Sequence, residues 1–350
     1  MKNRLQTRVG QVVLKNPVIC GAGEHTMNAD AIRAALRSGA GAVVAKSINE
    51  SKAAKDQLDR TDYALFDSHW KPVPWHEAAS ADATLFCRSG LIQRGFDGWI
   101  DELATLDREA AALGSYVIPS LILSDLEQCA SYAGQIEQAG LRLLEVNIGA
   151  PHGEEAAKGA IRLERDAERI ATIVSRLRES TRLPLWIKLT GQSEDVAGMA
   201  AAAQRGGADA VVLMGRFMGF LPDLDSQHPV LGTNAALGGG WALPLTARWI
   251  SLTRQRLGLA FPLIATNGAR NGLDVARFLL SGAAATEMTS AVFTRGYRAL
   301  SDSIAELDAY LCVRGQDAQE ILGLAADRVQ TYQLQESRPG RWQQFAPNSD

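Results

Sequence analysis

Eight short apolar runs rich in β-branched residues, separated by stretches of helical periodicity, constrain the fold of this chain more than any other feature. The runs are "VICGAG" (18–23), "AVVAKS" (42–47), "YVIPSLIL" (116–123), "LLEVNIG" (143–149), "PLWIKLT" (184–190), "AVVLMG" (210–215), "PLIATNG" (262–268) and "AATEMTS" (284–290). Continuous apolar runs, as opposed to alternating ones, mark strands covered on both faces. Between them, segments such as "DAIRAALRSGA", "LEQCASYAGQIEQAG" and "GLDVARFLLSGA" repeat apolar residues three and four positions apart, which gives a helix one buried face. Eight such units predict an α/β fold, a (β/α)8 TIM barrel whose catalytic face lies at the C-terminal ends of its strands. The chain has 350 residues, 46% of them hydrophobic, enough to bury one such core. No linker divides it. The barrel is expected over 1–312, and a C-terminal helix ("QDAQEILGLAADRVQTY") with its tail, 313–350, is expected to pack on it.

Two connections are too long for turns: residues 48 to about 98, after the second strand, and 216–244, after the sixth. Both fall at the catalytic face. A net charge of −3 with scattered Lys and Arg gives no electrostatic reason to expect nucleic acid. The N-terminal stretch has no apolar core and no run reaches membrane-spanning length, so the expectation is a cytoplasmic protein without a membrane partner. Cys20, Cys87, Cys129 and Cys312 form no C-x-x-C pair, so no metal or iron–sulfur site is expected and the thiols are read as reduced and mostly buried.

After the seventh strand, "ATNGARNGLDVARFLLSGA" reads as strand, tight turn and helix, with Asn271 as N-cap and Asp274 at capping-box spacing. After the eighth, Thr289 and Ser290 stand where hydroxyls and backbone N–H groups can face the same point. Loops at these two places, with a helix start between them, suit a phosphate. Gly268 and Gly272 would equally serve a plain turn. Two lysines shift the balance: Lys46 and Lys188 each end an apolar strand run, at the barrel mouth opposite the phosphate loops. Together they suit flavin mononucleotide (FMN), with a lysine to offset negative charge on the reduced ring.

"NPVICGAGEHTMNADAIRAALRSGAGAVVAKS", "LFCRSGLIQRGFDGW", "LLEVNIGAPHG", "LGGGWALP" and "LIATNGARNGLDVARFLLSGAAATEMTSAV", in collinear order over about residues 8–310, resemble the dihydroorotate dehydrogenase family, which includes the pyrimidine-oxidising domain of dihydropyrimidine dehydrogenase. The soluble class 1 members look most similar. The resemblance implies FMN contacts at Ala22, Gly23, Lys46, Ser47, Asn147 and Lys188, a close ring approach at Gly238 and Gly239, and phosphate contacts at Asn267, Gly268, Thr289 and Ser290. It also implies a homodimer.

On the substrate side the chain departs from the family. Family members end the fourth strand in a motif like Asn-Leu-Ser-Cys-Pro-Asn, whose Cys or Ser takes a proton from carbon; here the motif is Asn147-Ile148-Gly149-Ala150-Pro151-His152, with Ala150 at the base position. Asparagines expected elsewhere give way to Cys87, His152 and Gly215-Arg216, while Asn147 is kept. Each unmade hydrogen bond to a buried pyrimidine edge costs about 1 to 3 kcal/mol, so the expected reaction is hydride transfer to or from flavin N5 on a small anionic or cyclic-amide metabolite other than dihydroorotate. His152, Cys87 and Lys188 are the candidate catalytic residues; Asn147, Arg216 and Ser89 are the candidate substrate contacts. Two alternatives stay open: an FMN-dependent isomerase needing no external electron acceptor, and a decayed barrel that binds a metabolite or partner. For an oxidoreductase, the lack of a dinucleotide fingerprint leaves the acceptor to a small oxidant or a separate reductase.

Overall fold

The computed structural model describes residues 3–75, 82–149 and 166–347. Ala150, Pro151 and His152 lie outside the described residues. All eight runs form strands: Val18–Cys20, Ala42–Val44, Val117–Ile118 with Ser120–Ile122, Leu144–Asn147, Leu185–Lys188, Ala210–Leu213, Leu263–Thr266 and Ala285–Met288. Pairing is parallel and follows chain order, and the eighth strand pairs with the first, Glu287 opposite Ile19. The third run shows how the sheet closes. Pro119 has no N–H to give the ladder, so the run splits there: Val117–Ile118 pairs with the second strand and Ser120–Ile122 with the fourth. The two ends of the sheet are therefore neighbouring pieces of one strand run, and the sheet closes into a barrel.

Strand residues two apart share a face, and this period sorts the barrel interior. Ile19, Val44, Ile118, Trp186, Val212 and Ile264 form one fully buried cluster inside, closed from below by the N-terminal hairpin Thr7–Val9/Val12–Leu14 through Val9, Val12 and Leu14. Going up the same faces, the period turns Lys46, Ser120, Glu145, Asn147, Lys188 and Glu287 inward. The opposite faces pack against helices that include Ala29–Arg37, Phe96–Ala112, Leu126–Gln138, Ala167–Ser180, Val196–Arg205 and Gly272–Ser281.

The two long connections meet above the barrel in a five-stranded antiparallel sheet. Asp62–Phe66, Pro72–Val73 and Thr84–Arg88 come from the first, Phe217–Gly219 and Ala235–Gly238 from the second. Tyr63 and Ala236 flank Cys87 across the ladder.

The C-terminal extension is helical in short pieces instead of one amphipathic α-helix. Helix Arg298–Arg314 runs across the expected boundary at 312 and ends at Gly315, which is left-handed (φ 63°). The segment "QDAQEILGLAADRVQTY" then forms turns and a single 3-10 turn, Ala326–Arg328. Gly323 is the reason: it is left-handed (φ 78°), and a Cβ there would fall 2.3 Å from the Arg254 guanidinium. Arg254 in turn holds the segment through Asp327, with both guanidinium contacts at 2.9 Å. Among the described residues, no helix is long and apolar enough to cross a membrane.

Candidate active site

A cleft of about 1150 Å3, counted to its open mouth, lies between the barrel's C-terminal face and the overlying sheet. Its wall includes Ala22, Gly23, Lys46, Ser47, Cys87, Ser89, Asn147, Lys188, Arg216, Gly238, Asn267, Gly268, Thr289 and Ser290. The structure thus gathers in one place every site residue expected from the sequence within the described region except Gly239. That residue lines a small adjoining cavity together with Ser290, Arg270 and Arg295.

At one end of the cleft the backbone forms a cradle. Asn267 and Gly268 are both left-handed, at φ 67° and 124°. A side chain at Gly268 would collide with the Leu243 backbone at 2.7 Å, and one at Gly21 with Thr289 Oγ1 at 2.2 Å. The carbonyl of Asn267 accepts from Thr246 Oγ1 at 2.8 Å, but its buried side-chain Oδ1 has no partner. Helix Gly272–Ser281 starts beside it, with Asn271 Oδ1 accepting from Asp274 N at 3.0 Å, as the capping-box spacing predicts. Glycines that allow no Cβ fit a ligand that brings its own oxygens close to the backbone, while the unpaired Asn267 Oδ1 calls for a donor.

At the rim, a cluster missed at the sequence level ties the barrel to the sheet above. Glu24, next to Gly23, accepts from Lys46 Nζ at 3.0 Å and Ser89 Oγ at 2.5 Å through Oε1, and from the Tyr63 hydroxyl through Oε2. Ser89 Oγ also accepts from Lys46 Nζ at 2.8 Å. Burial works against ionising Glu24, but Lys46, Ser89 and Tyr63 together hold its carboxyl below the usual range. Burial and Glu24 push the Tyr63 phenol up, so it stays a hydrogen-bond donor. Cys87 is also held neutral: burial pushes its thiol up to about 11, with Arg216 acting the other way. His25 is not among the residues of the cleft wall; its Nε2 lies 2.9 Å from the Gly21 carbonyl, its ring makes a T-shaped contact with Phe293, and burial lowers it to about 4.

Beneath the cleft, Lys188 Nζ lies 2.9 Å from Glu145 Oε1 and 2.6 Å from Glu287 Oε2, with both carboxylates fully buried. Ser120 Oγ donates to Glu145 Oε1 at 3.2 Å and contacts Ser47 Oγ at 2.8 Å. Asn147 Oδ1 accepts from Gly149 N at 3.0 Å, which fixes the turn that leads out of the fourth strand. The signal for Glu145 and Glu287 was present in "LLEVN" and "ATEM": a charge inside an apolar strand run, which needs a partner when buried.

The sequence model of dihydroorotate dehydrogenase matches residues 72–311, well over half of the chain. The chain belongs to the dihydroorotate dehydrogenase family. Family members are FMN-dependent oxidoreductases acting on a CH–CH bond, and this protein is one, with FMN as its cofactor. Proteins named dihydroorotate dehydrogenase B (NAD(+)), catalytic subunit, are similar to it over nearly their whole length. The one from Methanosarcina acetivorans is 29% identical over 321 residues, 90% of this chain and 94% of that protein; the one from Pyrococcus furiosus is 26% identical over 318 residues, 90% and 96%. The crystal structure of DHODH in complex with ferulenol from Eimeria tenella superposes with a TM-score of 0.70, at 16% identity over 92% of this chain and 89% of that one, which shows the shared fold.

Proposed function

We propose that this family member moves hydride between FMN and a small anionic or cyclic-amide metabolite other than dihydroorotate. The observation that carries the reading is the rim cluster. Lys46 is neutralised by Glu24, and Tyr63, Ser89 and Cys87 stand on the substrate side of the cleft in place of a row of amides. A cyclic imide edge pairs best with groups that both donate and accept, as amides do. Here the carboxylate's acceptors are taken and the thiol is a weak donor, so such an edge would leave buried polar atoms unpaired, at about 1 to 3 kcal/mol each. Arg216 on the same wall has the donor fork suited to a carboxylate or similar anion.

In this reading Asn267, Gly268, Thr289 and Ser290 would hold the cofactor phosphate. Ala22, Gly23 and Gly238 would let the backbone approach the ring, Lys46, Ser47 and Asn147 would line it, and Lys188 would sit under it; Gly239, expected at the ring, lines the adjoining cavity instead. FMN supplies the hydride acceptor or donor. Ser89, Asn147 and Arg216 orient the substrate, Cys87 is a thiol donor beside it, and His152, which follows the described part of the fourth strand, is the group of suitable intrinsic pKa to carry the substrate proton. Electrons pass to a separate acceptor or reductase, and the protein works as a homodimer.

The relatives' names favour a second reading, dihydroorotate itself as substrate. One experiment separates the two. The FMN-loaded protein is mixed with dihydroorotate without oxygen and its visible flavin absorbance followed, with a chemical reductant as positive control. The proposal expects the yellow absorbance to persist with dihydroorotate and bleach with the reductant. Bleaching by dihydroorotate at a rate compatible with turnover would establish the second reading instead.

A further inference from the structure

The buried cluster under the cleft has one positive charge and two acids. Lys188 Nζ touches Glu145 at 2.9 Å and Glu287 at 2.6 Å; the lysine side chain is 10% exposed and both carboxylates are at 0%. Glu145 Oε2 and both Glu287 oxygens are buried without a hydrogen-bond partner, the contact of Lys188 with Glu287 being an ion pair. One ammonium can offset one carboxylate, and a further buried charge costs several kcal/mol even after relaxation. Two acids facing one base in a desolvated site therefore share a proton instead of both ionising.

Among the described residues, the charged groups that act most on Glu287 are Glu145 and Lys188, while Arg216, on the same cleft wall, acts on Cys87. On the adjacent first strand the group beside Glu287 is Cys20, a neutral buried thiol pushed up by burial and by Glu287 itself. Ser120 and Ser47, above Glu145, are neutral. At the rim Lys46 is already paired with Glu24. Burial, reinforced by Glu145 and opposed by Lys188, holds the Glu287 carboxyl well above the usual range. Lys188 is held protonated, because the two acids outweigh its burial.

We propose that Glu145, Lys188 and Glu287 hold a single proton between the two carboxyl groups, so that a charge-neutral cluster, and not a net negative one, lies beneath the cleft as a positioning group for the flavin. Glu287 and Lys188 both line the cleft, with the lysine the more exposed of the two, so the ring would meet the Lys188 ammonium with no net negative charge beneath it. The placement of the flavin depends on the reading that the ring lies over Lys188; the shared proton does not.

Infrared difference spectroscopy on the apoprotein and the FMN-loaded protein tests the proton directly. At neutral pH an ordinary glutamic acid is protonated in only about 1 molecule in 500, so a carboxylic acid C=O band in the wild type is expected from this cluster. Glu287→Gln and Glu145→Gln should each abolish it, because one remaining carboxylate facing Lys188 ionises. No band in the wild type, or a band surviving both substitutions, would overturn the proposal. Gln is isosteric with the protonated acid, and the two variants are independent, so a folding failure of one leaves the other.

The flavin reduction potential gives the second reading. Glu287→Gln leaves the net charge of the cluster unchanged, so at neutral pH the potential should stay within about threefold of the wild-type reduction equilibrium. If Glu287 were ionised, the same substitution would remove a negative charge under the ring and favour the reduced form tenfold or more, a rise of about 30 mV for two electrons; that rise would also overturn the proposal. A protein that took up no FMN would reject the flavin role of the cluster, while the apoprotein band still decided the proton.

Discussion

Cys87 stands among the polar groups of the cleft, yet burial makes it a poor nucleophile. With its thiol pushed up to about 11, only about 1 molecule in 1000 is thiolate at pH 8, and the thiolate is the reactive form. Iodoacetamide should therefore modify the exposed Cys312 first and Cys87 at least tenfold more slowly, with peptide mass spectrometry following each site. Equal rates would mean that the charge of Arg216 outweighs burial. Not every residue of the site was equally visible in the sequence. Lys46 and Lys188 were legible because a charge at the end of an apolar strand run has few places to go. Glu24 was not: an acid in a Gly-flanked loop looks like surface until Tyr63, 39 positions later, is folded over it.

The helix Gly272–Ser281 is the element through which the local sequence acts on the cleft. Its N-cap, Asn271, takes the Asp274 N–H and Glu306 takes the Gly272 N–H, so the helix start acts on the cleft by fixing the Asn267–Gly268 turn that precedes it. Asn271→Ala should cost about 1 kcal/mol of stability, the usual loss for an N-cap, and weaken FMN binding several-fold, measured by urea unfolding and by flavin titration; unchanged flavin affinity would separate the helix start from the phosphate. This helix and the barrel strands could be read from the chain because their signals are local: an apolar run, a cap, a turn. The sheet above the cleft could not. Its strands are two to five residues long, and its central pairing joins Ala236 to Cys87, partners 149 positions apart in the sequence. The C-terminal segment failed in the opposite way, since its apolar spacing was helical but Gly323 is left-handed beneath Arg254. The strand-four motif after Gly149, with Ala150 and His152, lies outside the described residues.

At the scale of the whole molecule, the buried ionisable groups set opposing pH dependences. His25 is lowered to about 4 from an unfolded value of about 6.5, so its contribution is present above about 6.5 and is lost as pH falls toward 4. Glu24 is also held low, and its contribution, present above about 4.3, is lost only on further acidification. Glu287 is raised: the folded protein keeps a proton that the unfolded chain gives up at about 4.3. Its contribution is complete below that value and declines as pH rises through the folded value. Lys188, also raised, loses its contribution only above about 10.4. Between about pH 4.3 and 6.5, then, His25 and Glu287 act in opposite directions. Above about 6.5 His25 and Glu24 have stopped titrating and Glu287 remains. Wild-type stability should therefore fall as pH rises above about 6.5 for as long as the folded protein keeps the Glu287 proton, with Glu287 supplying a slope of up to about 1.4 kcal/mol per pH unit for that one retained proton. Glu287→Gln, which cannot ionise, should remove that component, so the stability difference between variant and wild type should grow in the variant's favour with each step in pH. Urea unfolding of both proteins at a series of pH values measures it. Parallel wild-type and variant curves would mean that the proton under the cleft is not retained on folding.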